Sequence, residues 1–152
     1  MQTFLPYPDF AASAAVLDGR RLGKQRVEAL QILRAVTRPT YGWKHHPAVR
    51  MWMDYPEAVA AYGLAMCDEW LRRGCADTCA VTIRADLAEV GLLPPRGQAE
   101  LARLGKLPDW LGDGRLHRSH QAALVRKDPA YYQPLFPDAD RALPYFWPTN
   151  PS

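Results

Sequence analysis

Residues 17–36 read LDGRRLGKQRVEALQILRAV, and the fold class turns on this stretch. Val27, Leu30, Ile32, Leu33 and Val36 recur at helical spacing inside a run of helix formers that begins at Phe10. Only Gly19 and Gly23 interrupt the run, so the spacing predicts a helix over 10–36 that Pro39 ends. Upstream, Met1 to Asp9 carries two prolines and alternating aromatics, which predicts an extended segment lying on the body. Downstream, TYGWKHHPAVRMW (residues 40–52) is a loop that turns into helix at Pro47, a residue suited to a first helical turn. Val59, Tyr62, Met66, Cys67 and Trp70 then mark the buried face of a second long helix, closed by Gly74 with Arg72 and Arg73 in its last turn. Short helices are expected over 82–90 and 98–104, separated by the breaker GLLPPRG, and a last one runs from Asp113 as N-cap to Asp128-Pro129. No alternating run of useful length predicts a strand. The expected fold is all-α: a compact single domain over 1–152 of about three main helices, with an extended N-terminus and an irregular strap, rich in aromatics and prolines, at the C-terminal end.

Composition agrees with a globular chain. The 152 residues are 48% hydrophobic and 23% charged, and 5 Trp, 7 Tyr and 4 Phe exclude intrinsic disorder. No window is apolar for long enough to span a membrane, and MQTFLPYPDF has neither the basic nor the apolar region of a secretory signal. Cys67, Cys75 and Cys79 are odd in number and match no redox or zinc spacing, so they read as reduced thiols. These features predict a cytoplasmic protein, associated with the nucleoid if it binds DNA, and a monomer, since no long exposed apolar stripe is left over. The net charge of +3 is too small to announce a nucleic-acid partner, which leaves the placement of the cations to decide.

That placement is uneven. Arg21, Lys24, Glu28 and Gln31 are spaced 3, 4 and 3, one row along the first long helix. One reading is a solvated face with a Lys24–Glu28 pair worth a few tenths of a kcal/mol. The other notes that Glu28 is a single carboxylate among Arg20, Arg21, Lys24 and Arg26, flanked by Gln25 and Gln31, as expected of a working acid beside phosphates. The last helix adds Arg115, His117, Arg118, His120, Arg126 and Lys127, followed by Tyr131 and Tyr132, which combines cations for phosphates with rings for stacking. His45-His46 and the His117/His120 pair could offer imidazoles to a metal, but no cysteine or carboxylate completes a zinc pattern, so none is expected. Phosphate-binding loops and serine-hydrolase elbows are absent.

Three collinear segments, LDGRRLGKQRVEALQIL, WKHHPAVRMW leading to EWLRRG, and LHRSHQAALVRKDPAYYQPLF, resemble the pyrimidine-dimer DNA glycosylases of the phage endonuclease V type, in particular their small bacterial branch. The resemblance implies a compact all-α domain with its N-terminus inserted near the first helix. It implies a repair glycosylase with abasic-site lyase activity on duplex DNA containing damaged bases, needing no cofactor. It places the catalytic glutamate on Glu28, Arg21 on a family histidine position and His46 on a family histidine. The aromatic, DNA-contacting end falls on Ala130 to Tyr132. In that chemistry an N-terminal amine attacks C1′ of the damaged nucleotide and forms a Schiff base, and the glutamate assists the β-elimination that nicks the strand. An α-amine suits the task, because its ordinary pKa of ~7.7–8.0 leaves about a quarter of it neutral near pH 7.4. Position 2 here is Gln2, where the family exposes a small hydroxyl residue, and the threonine is Thr3. The amine therefore belongs to Met1, or to Gln2 in a trimmed chain.

The DNA-binding residues implied by pattern and resemblance together are Arg20, Arg21, Lys24, Gln25, Arg26, Gln31, His46, Arg118, His120, Lys127, Tyr131 and Tyr132. Two other readings stay open on sequence: a DNA-binding protein of the same fold without catalysis, and a metal-dependent hydrolase using His45, His46, His117 and His120.

Overall fold

Asp18 divides the expected first helix in two. In the computed structural model, which describes residues 1–148, its backbone is extended (φ −64°, ψ 157°), and its carboxylate accepts the Arg21 N–H at 3.4 Å and the Tyr132 hydroxyl proton. A residue so used is an N-cap rather than an interior position. Helix α1 (Phe10–Val16) therefore stops before Leu17, and α2 (Gly19–Thr37) starts afresh. The rest follows as α3 (Pro47–Arg50), α4 (Pro56–Arg72), α5 (Cys79–Glu89), α6 (Gln98–Arg103), α7 (Gly114–Lys127) and α8 (Pro129–Tyr132), with no strand among the described residues. The fold is all-α, and α2, α4 and α7 are its three longest helices. Helix α5 begins three residues before the expected 82, because the Asp77 carboxylate accepts the N–H groups of Cys79 (3.2 Å) and Ala80 (2.9 Å).

Packing centres on the crossing of α2 and α4. Leu22, Ala29, Ile32 and Leu33 from α2 meet Val59, Tyr62 and Met66 from α4 in one hydrophobic cluster, all of them buried. Gly63 sets the approach: a Cβ there would lie 2.9 Å from the Ala29 Cβ and 3.0 Å from the Ile83 Cδ1. Gly74 follows the C-cap of α4 with φ +88°, a conformation L side chains rarely adopt.

Helix α7 carries the strap. The Arg126 guanidinium donates to the carbonyls of Arg141 (2.9 Å) and Leu143 (2.6 Å), and Ser119 Oγ accepts from the Phe146 N–H at 3.1 Å. Arg115 lies 4.4 Å from the centre of the Phe146 ring. Residues 149–152 of the expected strap lie outside the described residues. No helix among those described is long and apolar enough to cross a membrane.

Replacing Gly63 by alanine tests the crossing. Helix propensity favours alanine by up to ~1 kcal/mol, but forcing a methyl into a contact made by Cβ and buried Cδ1 atoms costs ~1–3 kcal/mol. Gly63→Ala is expected to lower stability by about 1–2 kcal/mol, read as a Tm lower by several degrees in thermal unfolding.

Candidate active site

The N-terminal segment is extended and buried, with no strand beside it, so side chains must satisfy its backbone. Gln25, on α2, serves two of these backbone groups at once. Its Nε2 donates to the Gln2 carbonyl (2.9 Å), while its Oε1 accepts the Phe4 N–H (2.8 Å) and the Tyr62 hydroxyl (2.5 Å). Tyr62 also binds the Phe4 carbonyl at 2.8 Å. From α7, His120 Nδ1 accepts the Leu5 N–H, His117 Nδ1 meets the Leu5 carbonyl and Gln121 donates to Pro6, each at 2.8 Å. The Trp52 indole donates to Thr3 Oγ1 at 3.0 Å. Seven polar groups on six side chains thus fix residues 2–6 among α2, α4, α7 and the segment after α3.

This thread delivers the N-terminus to Glu28. The Gln2 N–H donates to Glu28 Oε2 at 3.1 Å, Gln25 Nε2 donates to the same oxygen at 3.0 Å, and Lys24 Nζ stands 3.6 Å from Oε1. Glu28 is 8% exposed, yet it opens on a cavity of about 410 Å³ lined by Met1, Gln2, Phe4, Arg20, Arg21, Lys24, Gln25, Glu28, Lys127 and Tyr145. Arg20, Arg21 and Lys24 come from the first turns of α2 and Lys127 from the end of α7, so cations from two helices face a single carboxylate. Arg21 also holds Asp18 at 3.2 Å. His46 caps α3 by accepting the Ala48 N–H at 3.0 Å. Burial pushes its pKa below the usual histidine range, the positive N-terminus pushes it further and Glu28 partly offsets this, so the imidazole lies within Coulombic reach of both.

Several residues expected to touch DNA are used otherwise. Gln25 and His120 are buried against the N-terminal backbone, and Tyr132 is buried with its hydroxyl on Asp18, so none of the three presents an exposed group to a phosphate or base. Arg26 points away from the cavity, paired with Asp77 and lying 4.4 Å over the Trp70 ring. Arg118 is exposed but lines a separate cavity with Tyr7 and Phe136. Gln31 and Tyr131 lie outside the residues that line the Glu28 cavity. His117 and His120 are spent on Leu5, and among the described residues no group of three or more His, Cys, Asp or Glu side chains could hold a metal ion.

The sequence pattern missed Tyr145 and Trp147. Both lie in the strap that α7 holds down, and Tyr145 reaches the cavity wall. Trp147 stands between Tyr145 (ring centroids 5.5 Å apart) and His46 (6.2 Å). The PYFWP run was the one available signal, but an aperiodic segment gives no face to assign.

The fold is thus all-α, and it sets the Gln2 N–H against a nearly buried carboxylate in a cavity lined by cations. A family model described as pyrimidine dimer DNA glycosylase matches residues 1–83, over half of the chain, and the chain belongs to that family. The matched stretch runs from the thread into α5 and includes Glu28 and His46, while Lys127 and Tyr145 lie beyond it. No curated protein and no solved structure matches the chain.

The histidine contacts predict a pH response. Burial holds His120 at about 3 and pushes His117 below its usual value, so both are neutral in the folded protein at pH values where the unfolded chain, near 6.5, takes up protons. Stability should therefore be full above ~6.5 and fall as pH drops below it, by up to ~1.4 kcal/mol per pH unit for each histidine. Urea melts at pH 7.5 and 5 are expected to show this loss, and His120→Gln, which keeps an acceptor for Leu5, should flatten it.

Proposed function

We propose that this protein removes a damaged pyrimidine from duplex DNA and nicks the resulting abasic site, using its N-terminal amine as nucleophile and Glu28 as the acid-base group. The observation that carries this is the 3.1 Å bond from the Gln2 N–H to Glu28 inside the basic cavity. In a trimmed chain that nitrogen would itself be the amine, and with Met1 retained the amine sits one residue further into the cavity wall.

The amine attacks C1′, the C1′–N bond breaks, and the base leaves with the bonding pair and takes up a proton. Opening of the sugar ring leaves a Schiff base between the terminal nitrogen and C1′. A carboxylate beside that nitrogen is placed to remove the C2′ proton, after which the 3′ phosphate leaves and water releases the amine. The positive charge of the Schiff base favours an adjacent carboxylate, and Glu28 is already desolvated and oriented by two N–H donors. Arg20, Arg21, Lys24 and Lys127 are the cations available for phosphates. Access to C1′ requires local unstacking, which costs a few kcal/mol and least at a damaged pair.

Borohydride reduction should trap the native-terminus protein covalently on duplexes carrying an abasic site or a cyclobutane pyrimidine dimer. Glu28→Gln is expected to cut strand cleavage at least ~100-fold, in the range for a lost acid-base group, while duplex binding stays within a few-fold. Cleavage by that variant at the wild-type rate would exclude the role. With four cations engaged, log Kd against log salt should have a slope of magnitude about 3–4, and a salt-independent affinity would remove phosphate contact as the basis of binding.

A further inference from the structure

Trp43 is placed at some conformational cost where its indole meets solvent. It lies in the loop between α2 and α3 with φ +70°, a left-handed backbone that a bulky side chain rarely adopts, and it is 59% exposed. A loop that merely joined two helices would carry glycine or asparagine here without strain and would keep an indole out of water. The His46 N–H donates to the Trp43 carbonyl at 3.0 Å, closing the turn that sets the ring. The indole then meets the His46 imidazole edge to face, centroids 6.1 Å apart. His46 meets Trp147 in the same way on its other contact, and Trp147 meets Tyr145 at the cavity wall. A row of four rings, Trp43, His46, Trp147 and Tyr145, therefore leads from solvent to the cavity that holds Glu28 and the N-terminus.

The row and the cations divide along chemical lines. Arg20, Arg21, Lys24 and Lys127 can meet a phosphate backbone, whereas an exposed indole offers a π-face, which suits a nucleobase out of its stack. Strain of this kind persists where the surrounding structure enforces it, and here the enforcing contacts belong to the site. We infer that Trp43 is a base-stacking residue that holds a nucleobase unstacked at the lesion, so that the sugar beside it can reach the N-terminal amine. This rests on the glycosylase reading above and adds to it a positioning residue that discriminates damaged from intact DNA.

The test compares wild type, Trp43→Asn and Trp43→Phe on an intact duplex and on one carrying a tetrahydrofuran abasic analogue, which binds but is not cleaved, with 2-aminopurine opposite it. Trp43→Asn should weaken binding to the analogue duplex about tenfold or more and abolish the change in 2-aminopurine fluorescence. Binding to the intact duplex should shift less than about threefold. Trp43→Phe should recover most of the preference. Because asparagine accepts a left-handed backbone, the Tm of Trp43→Asn should equal or exceed that of wild type. An unchanged preference in Trp43→Asn overturns the inference, as does a lower Tm with equal losses on both duplexes, which would make the indole structural. If wild type shows no preference for the analogue and is not trapped on a natural abasic site, the glycosylase reading falls and the inference with it. If wild type is trapped and Trp43→Asn keeps its preference, the stacking role alone falls.

Discussion

An extended backbone buried among helices has no neighbouring strand to bond, and this constraint organises the molecule. Each unpaired N–H or C=O in the core would cost ~1–3 kcal/mol, so the helices around residues 2–6 must supply partners from their side chains. Gln25 does so in the most economical way. A carboxamide carries a donor and an acceptor as a peptide group does, and Gln25 uses both on Gln2 and Phe4, pairing with the thread as an adjacent strand would. Tyr62, Trp52, His117, His120 and Gln121 complete the set from α4, α7 and the segment after α3. Gln25, His117 and His120, three of the polar side chains buried in this core, grip that one segment.

The grip has a consequence for chemistry. A chain terminus is ordinarily the least ordered part of a domain, and a nucleophile placed there would lose most of its advantage to motion. Tying residues 2 to 6 to the surrounding helices fixes the Gln2 nitrogen relative to Glu28, since Gln25 and Glu28 both sit on α2. Glu28 itself is held by two N–H donors and faced by cations, so its charge is stabilised where a carboxylate with 8% exposure would otherwise be penalised. The same cations that make this burial tolerable are the ones an anionic polymer would meet on approach.

The sequence made the helices legible because their signal is periodic and local. The faces of α2 and α4, the cap at Asp113 and the stop at Asp128-Pro129 all lie in consecutive residues. The break at Asp18 was not legible, since it depends on a hydroxyl from Tyr132, 114 residues away. Gln25 and His120 look solvated in the sequence because polar groups on a helix do so until the thread that covers them is placed, and Tyr132 does so until Asp18 meets its hydroxyl. Arg26 followed the same logic, its partner Asp77 arriving from the segment before α5. Glu28 could be singled out because the excess of cations around it is written in the neighbouring residues. Tyr145 and Trp147 could not, because a strap held by Arg126, Arg115 and Ser119 has no period of its own.

The identity of residue 2 has its own chemical logic. A glutamine exposed as a first residue has its amine beside its own carboxamide, and ring closure with loss of ammonia would consume that amine. Retention of Met1 removes this route, because the Gln2 nitrogen is then a peptide N–H, and it is in that form that it donates to Glu28. The Gln2 carboxamide oxygen is meanwhile engaged by the Thr3 N–H at 2.9 Å, which turns the side chain back along the thread. Met1 extends past this anchored residue into the cavity wall, so a large residue at position 2 and a free amine in the cavity are compatible.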